Sequence, residues 1–206
     1  MPLPPSENSH GRTVVVYGDD KIGRAAAARL KNKKIRLVAD QSGGFWRGLR
    51  MILRRRISIA NAAVMFIADL CRKDLSLCGG EKINSNAQLA EVVTEYKASR
   101  IILFRASLII DLDLLPEKTE VINIHCISID NYPGLGAIWR ALGNKDLDQF
   151  ATAHQVTSVI DCGKIIDTEP YAFKSENSYA ANENIAYEAG IRLLLRLVTP
   201  VDGEET

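Results

Sequence analysis

The first forty residues place two short apolar runs on either side of a helix-favouring segment. Residues 12–18, RTVVVYG, form a Val-rich run closed by glycine, which is typical of a strand buried on both faces. The alanine-rich segment 19–32 favours a helix with acidic residues at its start, and residues 34–40, KIRLVAD, have the pattern of a second strand. This β-α-β opening predicts an α/β fold with a mostly parallel central sheet and helices on both faces.

The rest of the chain continues to alternate between helical and strand patterns. Apolar residues at helical spacing after an Asn or Ser cap predict a helix in the segment 83–100. The predicted elements that follow are a strand at 101–107, a strand at 121–127, a helix after Pro133 and Gly134 that ends at Gly143 and Asn144, strands at 150–161 and 164–173, and a closing helix at 176–198. No internal repeat interrupts this order.

Length and charge set the broad class of the protein. At 206 residues, with 47% hydrophobic and 25% charged residues, the chain is expected to form one globular domain over residues 12–200. The polar, Pro-rich residues 1–11 predict a flexible lead-in, and residues 201–206 a short tail. The formal net charge of +1 argues against a nucleic-acid-binding protein, and no apolar run reaches the roughly 20 residues of a spanning helix.

The four cysteines show neither a C-x-x-C pair nor a zinc-ligand spacing. They are Cys71, Cys78, Cys126 and Cys162. Since no secretory leader precedes them, reduced thiols and a cytoplasmic location are expected.

The segment 43–74 combines arginines with large apolar residues, and its basic stretch 47–56 ends in Arg54, Arg55 and Arg56. One interpretation is a pair of amphipathic helices whose arginines reach solvent. The other is a basic surface that contacts anionic lipid or a phosphorylated substrate.

A polar pair interrupts the apolar strand VINIHCI. Asn123 and His125 are separated by one residue, so both side chains point to the same face of a strand. Their strand is followed by a Pro-Gly turn and a helix, which puts them near the carboxyl end of a strand, where ligand crevices lie in open α/β sheets. An amide N–H and an imidazolium N–H that converge there could stabilise an oxyanion.

A carboxylate would complete a site for acyl transfer to an amine, because the attacking amine must lose a proton. Asp161 is the candidate, since it precedes Gly163 in a loop that would let backbone approach a ligand. The alternative is that Asp161 only forms a turn. His10 lies in the lead-in, and His154 is expected on a later strand without a close polar companion.

The stretch INIHCISIDNYPGLGAIWRAL, followed by TAHQVTSVIDCGKII, resembles the folate-dependent formyltransferase family. The family pattern is an Asn-x-His strand, a turn and a helix, then Thr-x-His and an Asp-x-Gly-x-Ile-Ile loop. The residues that match it are Asn123, His125, Thr152, His154, Asp161, Gly163, Ile165 and Ile166. The similarity is strong over residues 100–170 and only topological before them.

The resemblance implies a Rossmann-like formyltransferase fold, with residues 12–200 as a formyltransferase-like catalytic domain. It implies an enzyme that takes N10-formyltetrahydrofolate as the donor co-substrate and a small-molecule amine as the acceptor. It assigns catalysis to Asn123, His125 and Asp161, and implies no metal site. The residues that it assigns to folate binding are Ser107, Leu108, Ile109, Thr157, Val159 and Gly163.

Several positions depart from the family pattern. Cys126 stands where the family has proline, Asp130 lies where a Leu-Pro pair is usual, and Phe150 stands near the usual glycine before Thr-x-His. These departures are expected to lie around the acceptor and folate pockets. After the first strand, Asp19 and Asp20 would repel a phosphate.

The acceptor that best fits these departures is a nucleotide-linked amino-sugar. Glycinamide ribonucleotide fits less well, because its phosphate would meet the two aspartates. The methionyl-tRNA members carry a further C-terminal domain, which this chain is not expected to have. The sequence does not decide the oligomeric state, and a homodimer is one possibility. It also leaves open whether the stretch 47–56 contacts a membrane surface or the diphosphate of the acceptor.

Three other functions stay open. Water could replace the amine, which would make the protein a formyltetrahydrofolate hydrolase. The substitutions at Cys126 and Asp130 are also compatible with a folate-binding member whose site has decayed. An NAD-dependent oxidoreductase is the weakest reading, because Gly18 and Gly23 do not form G-x-G-x-x-G.

Overall fold

The computed structural model describes residues 11–31, 33–43, 67, 80–134 and 136–199. The predicted lead-in (apart from residue 11), the basic stretch 47–56 with nearly all of the segment around it, and the C-terminal tail lie outside the described residues. The prediction of a single domain over residues 12–200 therefore stays a prediction.

Seven strands form one sheet in the order β3-β2-β1-β4-β5-β6-β7. The strands are β1 (Arg12–Gly18), β2 (Arg36–Asp40), β3 (Glu81–Ile83), β4 (Ala98–Phe104), β5 (Glu120–His125), β6 (Asp148–Gln155) and β7 (Ile165–Ala172). All pairings from β3 to β5 are parallel, and β6 and β7 continue the sheet antiparallel. The mostly parallel sheet predicted from the sequence is confirmed.

Four helices cover the sheet within the part of the chain that the structure describes. They are α1 (Lys21–Leu30), α2 (Asn86–Tyr96), α3 (Ala137–Gly143) and α4 (Tyr179–Val198), and Leu112–Leu114 adds a turn of 3₁₀ helix. Asp20, Ser85 and Ser178 cap three of them by accepting a backbone N–H of the first turn, which explains where these helices begin. None of the described helices is long and apolar enough to cross a membrane.

The core lies on both faces of the sheet. On one face, α1, α3 and α4 pack against Val15, Ile102, Ile122 and Ile124. On the other, α2 packs against the alternate positions of β1 and β4, together with Val121 of β5. Because successive strand residues point to opposite faces, a strand buried on both sides must be apolar throughout, as Val14 to Tyr17 are.

The strand predicted at 150–161 is wrong at its C-terminal end. β6 ends at Gln155, whose N–H donates to the carbonyl of Lys164 at 2.9 Å and closes the connection to β7. Residues 156–163 form a loop instead, which begins where Val156 N–H donates to Val121 O at 2.8 Å. The short strand β3 was not predicted, because only three residues of it pair with β2.

Candidate active site

The polar pair on β5 lies on one face of the sheet, as strand alternation predicts. Across the antiparallel pair, Asn123 is opposite His154 and His125 is opposite Thr152 on β6. Residues directly opposite each other in such a pair share a face. The side chains of Asn123, His125, Thr152 and His154 therefore cluster on one face near the carboxyl end of β5. It is the face of the sheet against which α2 packs at β1 and β4.

His154 has a close polar companion, contrary to the expectation from the sequence. Its Nε2 lies 3.1 Å from Nδ2 of Asn123, and its Nδ1 lies 3.0 Å from the carbonyl oxygen of Gln155. Since a carbonyl only accepts, Nδ1 carries the proton, and in the neutral ring Nε2 accepts from the Asn123 amide. The second N–H of that amide has no partner among the described residues.

Asp161 reaches the same cluster from the loop 156–163. Its Oδ1 lies 3.9 Å from Nε2 of His154, and its Oδ2 accepts the backbone N–H of Gly134 at 2.8 Å. Asp161 adopts a left-handed backbone with φ of 58°, and Gly134 one with φ of 75°. The structure thus brings together Asn123, His125 and Asp161, the three residues selected from the sequence.

His125 is held by a backbone carbonyl. Its Nε2 lies 3.2 Å from the carbonyl oxygen of Tyr132, so Nε2 donates and Nδ1 has no partner within the described ranges. Burial lowers the pKa of His125 below its ordinary value, against the opposing effect of the Asp161 carboxylate. The lowered pKa favours the neutral ring near pH 7, whereas the sequence analysis considered an imidazolium at this position.

The arrangement offers one amide N–H, one unprotonated imidazole nitrogen and one carboxylate at a single strand end. An amide N–H fixed in place suits the stabilisation of an oxyanion. A neutral imidazole or a carboxylate suits the acceptance of a proton. Among the described residues, no group of three or more His, Cys, Asp or Glu side chains could hold a metal ion.

The residues predicted to bind folate lie in two loops near this cluster. Ser107, Leu108 and Ile109 follow β4, and Thr157 and Val159 belong to the loop 156–163. Ile109 and Val159 are 62% and 58% exposed, so both are accessible to a ligand. Thr157 donates its hydroxyl to the carbonyl of Val159 at 2.9 Å and so shapes the turn itself.

Gly163 has a structural role that differs from the prediction. A Cβ at this position would collide with the carbonyl oxygen of Gln155. Close approach to the chain's own strand β6 therefore already requires glycine here, and the predicted contact of Gly163 with folate stays a prediction.

A cavity of about 380 Å³ lies at the amino end of β5, and none of the cluster residues lines it. Val121, which lines it, precedes Asn123 by two residues and so faces the same side of β5. The cavity is lined by Leu112, Asp113, Leu115, Pro116, Glu117, Lys118, Thr119, Val121 and Val156. Sequence reasoning did not identify this lining, because its residues come from the segment between β4 and β5, from β5 and from the loop 156–163.

One of the departures from the family pattern does not face the cluster. Cys126 is 7% exposed and packs in the core on the α4 face, where burial raises the pKa of its thiol to about 12. Asp130 is exposed to solvent. The expectation that these two positions surround the substrate pockets is therefore wrong for Cys126, because it points to the opposite face from His125.

The loop between β1 and α1 is occupied by its own ion pairs. Asp20 accepts the N–H of Gly23 at 2.8 Å and a forked ion pair from Arg105 at 2.6 to 3.2 Å. Asp19 pairs with Arg24 at 2.9 Å. Arg105 was missed from the sequence, since nothing local connects residue 105 to residue 20.

Solved structures share this architecture. A phosphoribosylglycinamide formyltransferase of Streptococcus pneumoniae superposes with a TM-score of 0.59 at 17% identity, over 91% of this chain and 97% of that chain. A formyltetrahydrofolate deformylase of Pseudomonas syringae gives a TM-score of 0.61 at 18% identity, over 90% of this chain and 59% of that one. This chain has the formyltransferase fold.

The formyltransferase fold extends to a Mycobacterium tuberculosis protein described as a candidate sugar N-formyltransferase. It superposes with a TM-score of 0.60 at 14% identity, over 90% of this chain and 65% of that chain. No protein-family model matches the sequence. No curated protein is significantly similar to it in sequence.

Proposed function

We propose that this protein is an N-formyltransferase that moves the formyl group of N10-formyltetrahydrofolate to a primary amine of a small acceptor, a nucleotide-linked amino-sugar. The observation that carries the proposal is the cluster of Asn123, His125, His154 and Asp161 at the end of β5 and under the loop 156–163. On a formyltransferase fold, these groups supply what acyl transfer to an amine requires.

The reaction follows from the chemistry of these groups. The amine nitrogen forms a bond to the formyl carbon, and the carbonyl electron pair moves to oxygen, where the free N–H of Asn123 stabilises the charge. His125, neutral at Nδ1, or the Asp161 carboxylate takes the surplus amine proton. The bond from the formyl carbon to N10 then breaks, and the proton passes to N10.

The donor is proposed to lie between the loop after β4 and the loop 156–163. Exposed apolar side chains on both loops, Ile109, Val159 and Ile160, would cover the faces of a flat pterin and an aminobenzoyl ring.

The charges beside α1 support an acceptor without a phosphate at that helix. A helix N-terminus attracts phosphate when its backbone N–H groups are free. Here the Asp20 carboxylate already accepts one of them, and Arg24 and Arg105 are already paired with Asp19 and Asp20, so neither guanidinium is available to a phosphate. Glycinamide ribonucleotide is disfavoured for this reason, and an acceptor whose phosphates bind elsewhere is favoured.

Hydrolysis of formyltetrahydrofolate is the second candidate. The strand order reverses between β1 and β4, where ligands of open α/β sheets bind. Arg105 occupies that place, between Asp20 and Tyr187. A small acceptor such as water needs less room there, and a deformylase is among the proteins of the same fold.

One experiment separates these functions. The protein is incubated with donor labelled in the formyl carbon, with and without a panel of nucleotide-linked amino-sugars, and products are identified by mass spectrometry. A labelled N-formyl sugar supports the proposal, whereas labelled formate released at the same rate without any amine supports hydrolysis. If neither product exceeds that of an Asn123→Ala, Asp161→Ala double variant, both functions are excluded.

A further inference from the structure

The chain that follows β4 forms a rigid segment, residues 105–111, called here the donor shelf. The buried carboxylate of Asp40, at the end of β2, accepts the backbone N–H groups of Ser107 and Leu108 at 2.5 and 2.9 Å. These bonds tie the shelf to a strand that is two positions away in the sheet.

A second anchor holds the other half of the donor shelf. The side chain of Asn86, at the start of α2, donates to the carbonyl of Ile109 at 3.0 Å and accepts the N–H of Asp111 at 3.1 Å. The side chain of Ile109 is 62% exposed on a backbone that is fixed on both sides. The exposed apolar side chain of Ile109 therefore stands on a backbone that is hydrogen-bonded to two other elements of the fold.

Arg105 determines how the chain enters the shelf. Its φ of 57° is left-handed, a conformation that residues with a Cβ adopt at a cost. Its carbonyl oxygen passes so close to Gly18 that a Cβ there would collide with it. Such a backbone persists only where its surroundings enforce it.

The side chain of Arg105 provides that enforcement. Its guanidinium makes the forked ion pair with Asp20, whose carboxylate also caps α1. It also lies 4.4 Å from the ring centre of Tyr187 on α4. The side chains of Arg105 and Asp20 are only 25% and 34% exposed, so solvent screens their attraction less than at an open surface.

We propose that Arg105 is a positioning residue for the donor: through Asp20 and Tyr187 it holds the donor shelf in the shape that binds the folate. The inference rests on the proposed function, and it concerns a residue that does not touch the reacting atoms. A shelf that is already ordered binds its ligand without the cost of ordering it.

The test compares Arg105→Ala with Arg29→Ala. Arg29 makes a forked ion pair with Glu188 at 2.7 and 2.8 Å, which joins α1 to α4 away from the shelf. Both variants lose a forked pair of an arginine with a carboxylate, but the side chains of Arg29 and Glu188 are 45% and 48% exposed, so the melting temperatures of the two variants are compared as well. Thermal unfolding and steady-state kinetics are measured for both, and binding of the non-transferable isomer 5-formyltetrahydrofolate by calorimetry.

In Arg105→Ala we expect KM for the donor and Kd for the isomer to rise about tenfold or more, with kcat within about twofold, because binding and not chemistry is affected. Arg29→Ala should leave these constants unchanged. Arg105→Lys, which keeps the charge but not the fork, should recover part of the binding.

The outcomes distinguish the inference from the proposed function. If the unaltered protein binds the isomer and transfers formyl, but Arg105→Ala binds it equally well, the positioning role is wrong and the function stands. Equal losses in Arg105→Ala and Arg29→Ala would also reject the role. If the unaltered protein binds no folate at all, the proposed function itself fails.

Discussion

Nδ2 of Asn123 lies 3.1 Å from Nε2 of His154, and the two residues face each other across β5 and β6. The sheet fixes both backbones, and the carbonyl of Gln155 fixes the proton on the other ring nitrogen of His154. The amide of Asn123 is therefore held in one orientation before a substrate binds. A hydrogen-bond donor that is already oriented does not have to reorganise when the transition state forms. Its stabilising effect is therefore largest in the transition state.

Replacing Asn123 by Ala should lower kcat/KM for formyl transfer by about 100-fold to 1,000-fold, the usual effect of losing one oxyanion donor. Binding of 5-formyltetrahydrofolate should change little. Asn123→Asp should be at least as impaired, because a carboxylate repels the developing negative charge. A variant that stays folded and retains activity within twofold of the unaltered protein would contradict the role.

His154→Ala should lower kcat about tenfold to a hundredfold, because the Asn123 amide is then free to turn and misplaces its N–H. His154→Gln offers an acceptor oxygen in a similar place and should be less impaired than the alanine variant. The comparison is made between variants of matched melting temperature, since His154 is only 2% exposed. Equal activity of the two variants would show that the ring does not orient the amide.

The site could be predicted in part because strand alternation is a local rule. Two residues apart on one strand, Asn123 and His125 must share a face, whatever the rest of the fold. The position of Asp161 depends on contacts with Gly134 and on the close approach of Gly163 to Gln155. No periodicity encodes those contacts, so the residues alone made Asp161 a candidate beside the alternative of a simple turn, and the resemblance to a family was needed to assign it to catalysis.

In the fold, too, local patterns could be predicted from the sequence and long-range contacts could not. The β-α-β opening follows from the apolar runs, whereas the end of β6 does not, since Val159 and Ile160 have strand-forming side chains that the structure leaves 58% and 64% exposed. The ion pair of Asp20 with Arg105 joins residues 85 positions apart. Such a contact depends on the completed sheet and could not be predicted from either residue's neighbours.

Cys162 should react with a thiol reagent in the folded protein, and Cys126 should not. Cys162 is exposed, whereas Cys126 is buried, and burial raises the pKa of its thiol to about 12, so almost no thiolate forms near neutral pH. Peptide mapping after brief alkylation, with and without denaturant, measures both sites. Labelling of Cys126 without denaturant would show that α4 does not cover it as described.

The pH dependence of activity should report a neutral His125. Burial lowers the pKa of this ring below 6.5, so kcat/KM should be constant around pH 7 and fall on the acid side with an apparent pKa below 6.5. In His125→Gln the acid limb should disappear together with most of the activity. Activity that instead declines as the pH rises through 7, with no acid limb, would mean that the protonated ring is required, as in the imidazolium mechanism.

The stability of the protein should depend on the same group. The pKa of His125 is lower in the folded chain than its value of 6.5 elsewhere, because burial disfavours the charged ring while Asp161 opposes the shift only in part. Below pH 6.5 the unfolded chain therefore binds a proton that the folded chain does not. The contribution of the neutral ring to stability is fully present above pH 6.5 and is lost as the pH falls through the folded-state pKa.

Urea unfolding at a series of pH values between about 5 and 8 measures this dependence of stability on pH. The free energy of unfolding should decline less steeply below pH 6.5 in His125→Gln than in the unaltered protein. Parallel curves for the two proteins would show that His125 titrates alike in the folded and unfolded chains, and would remove the basis for a buried neutral imidazole at the site.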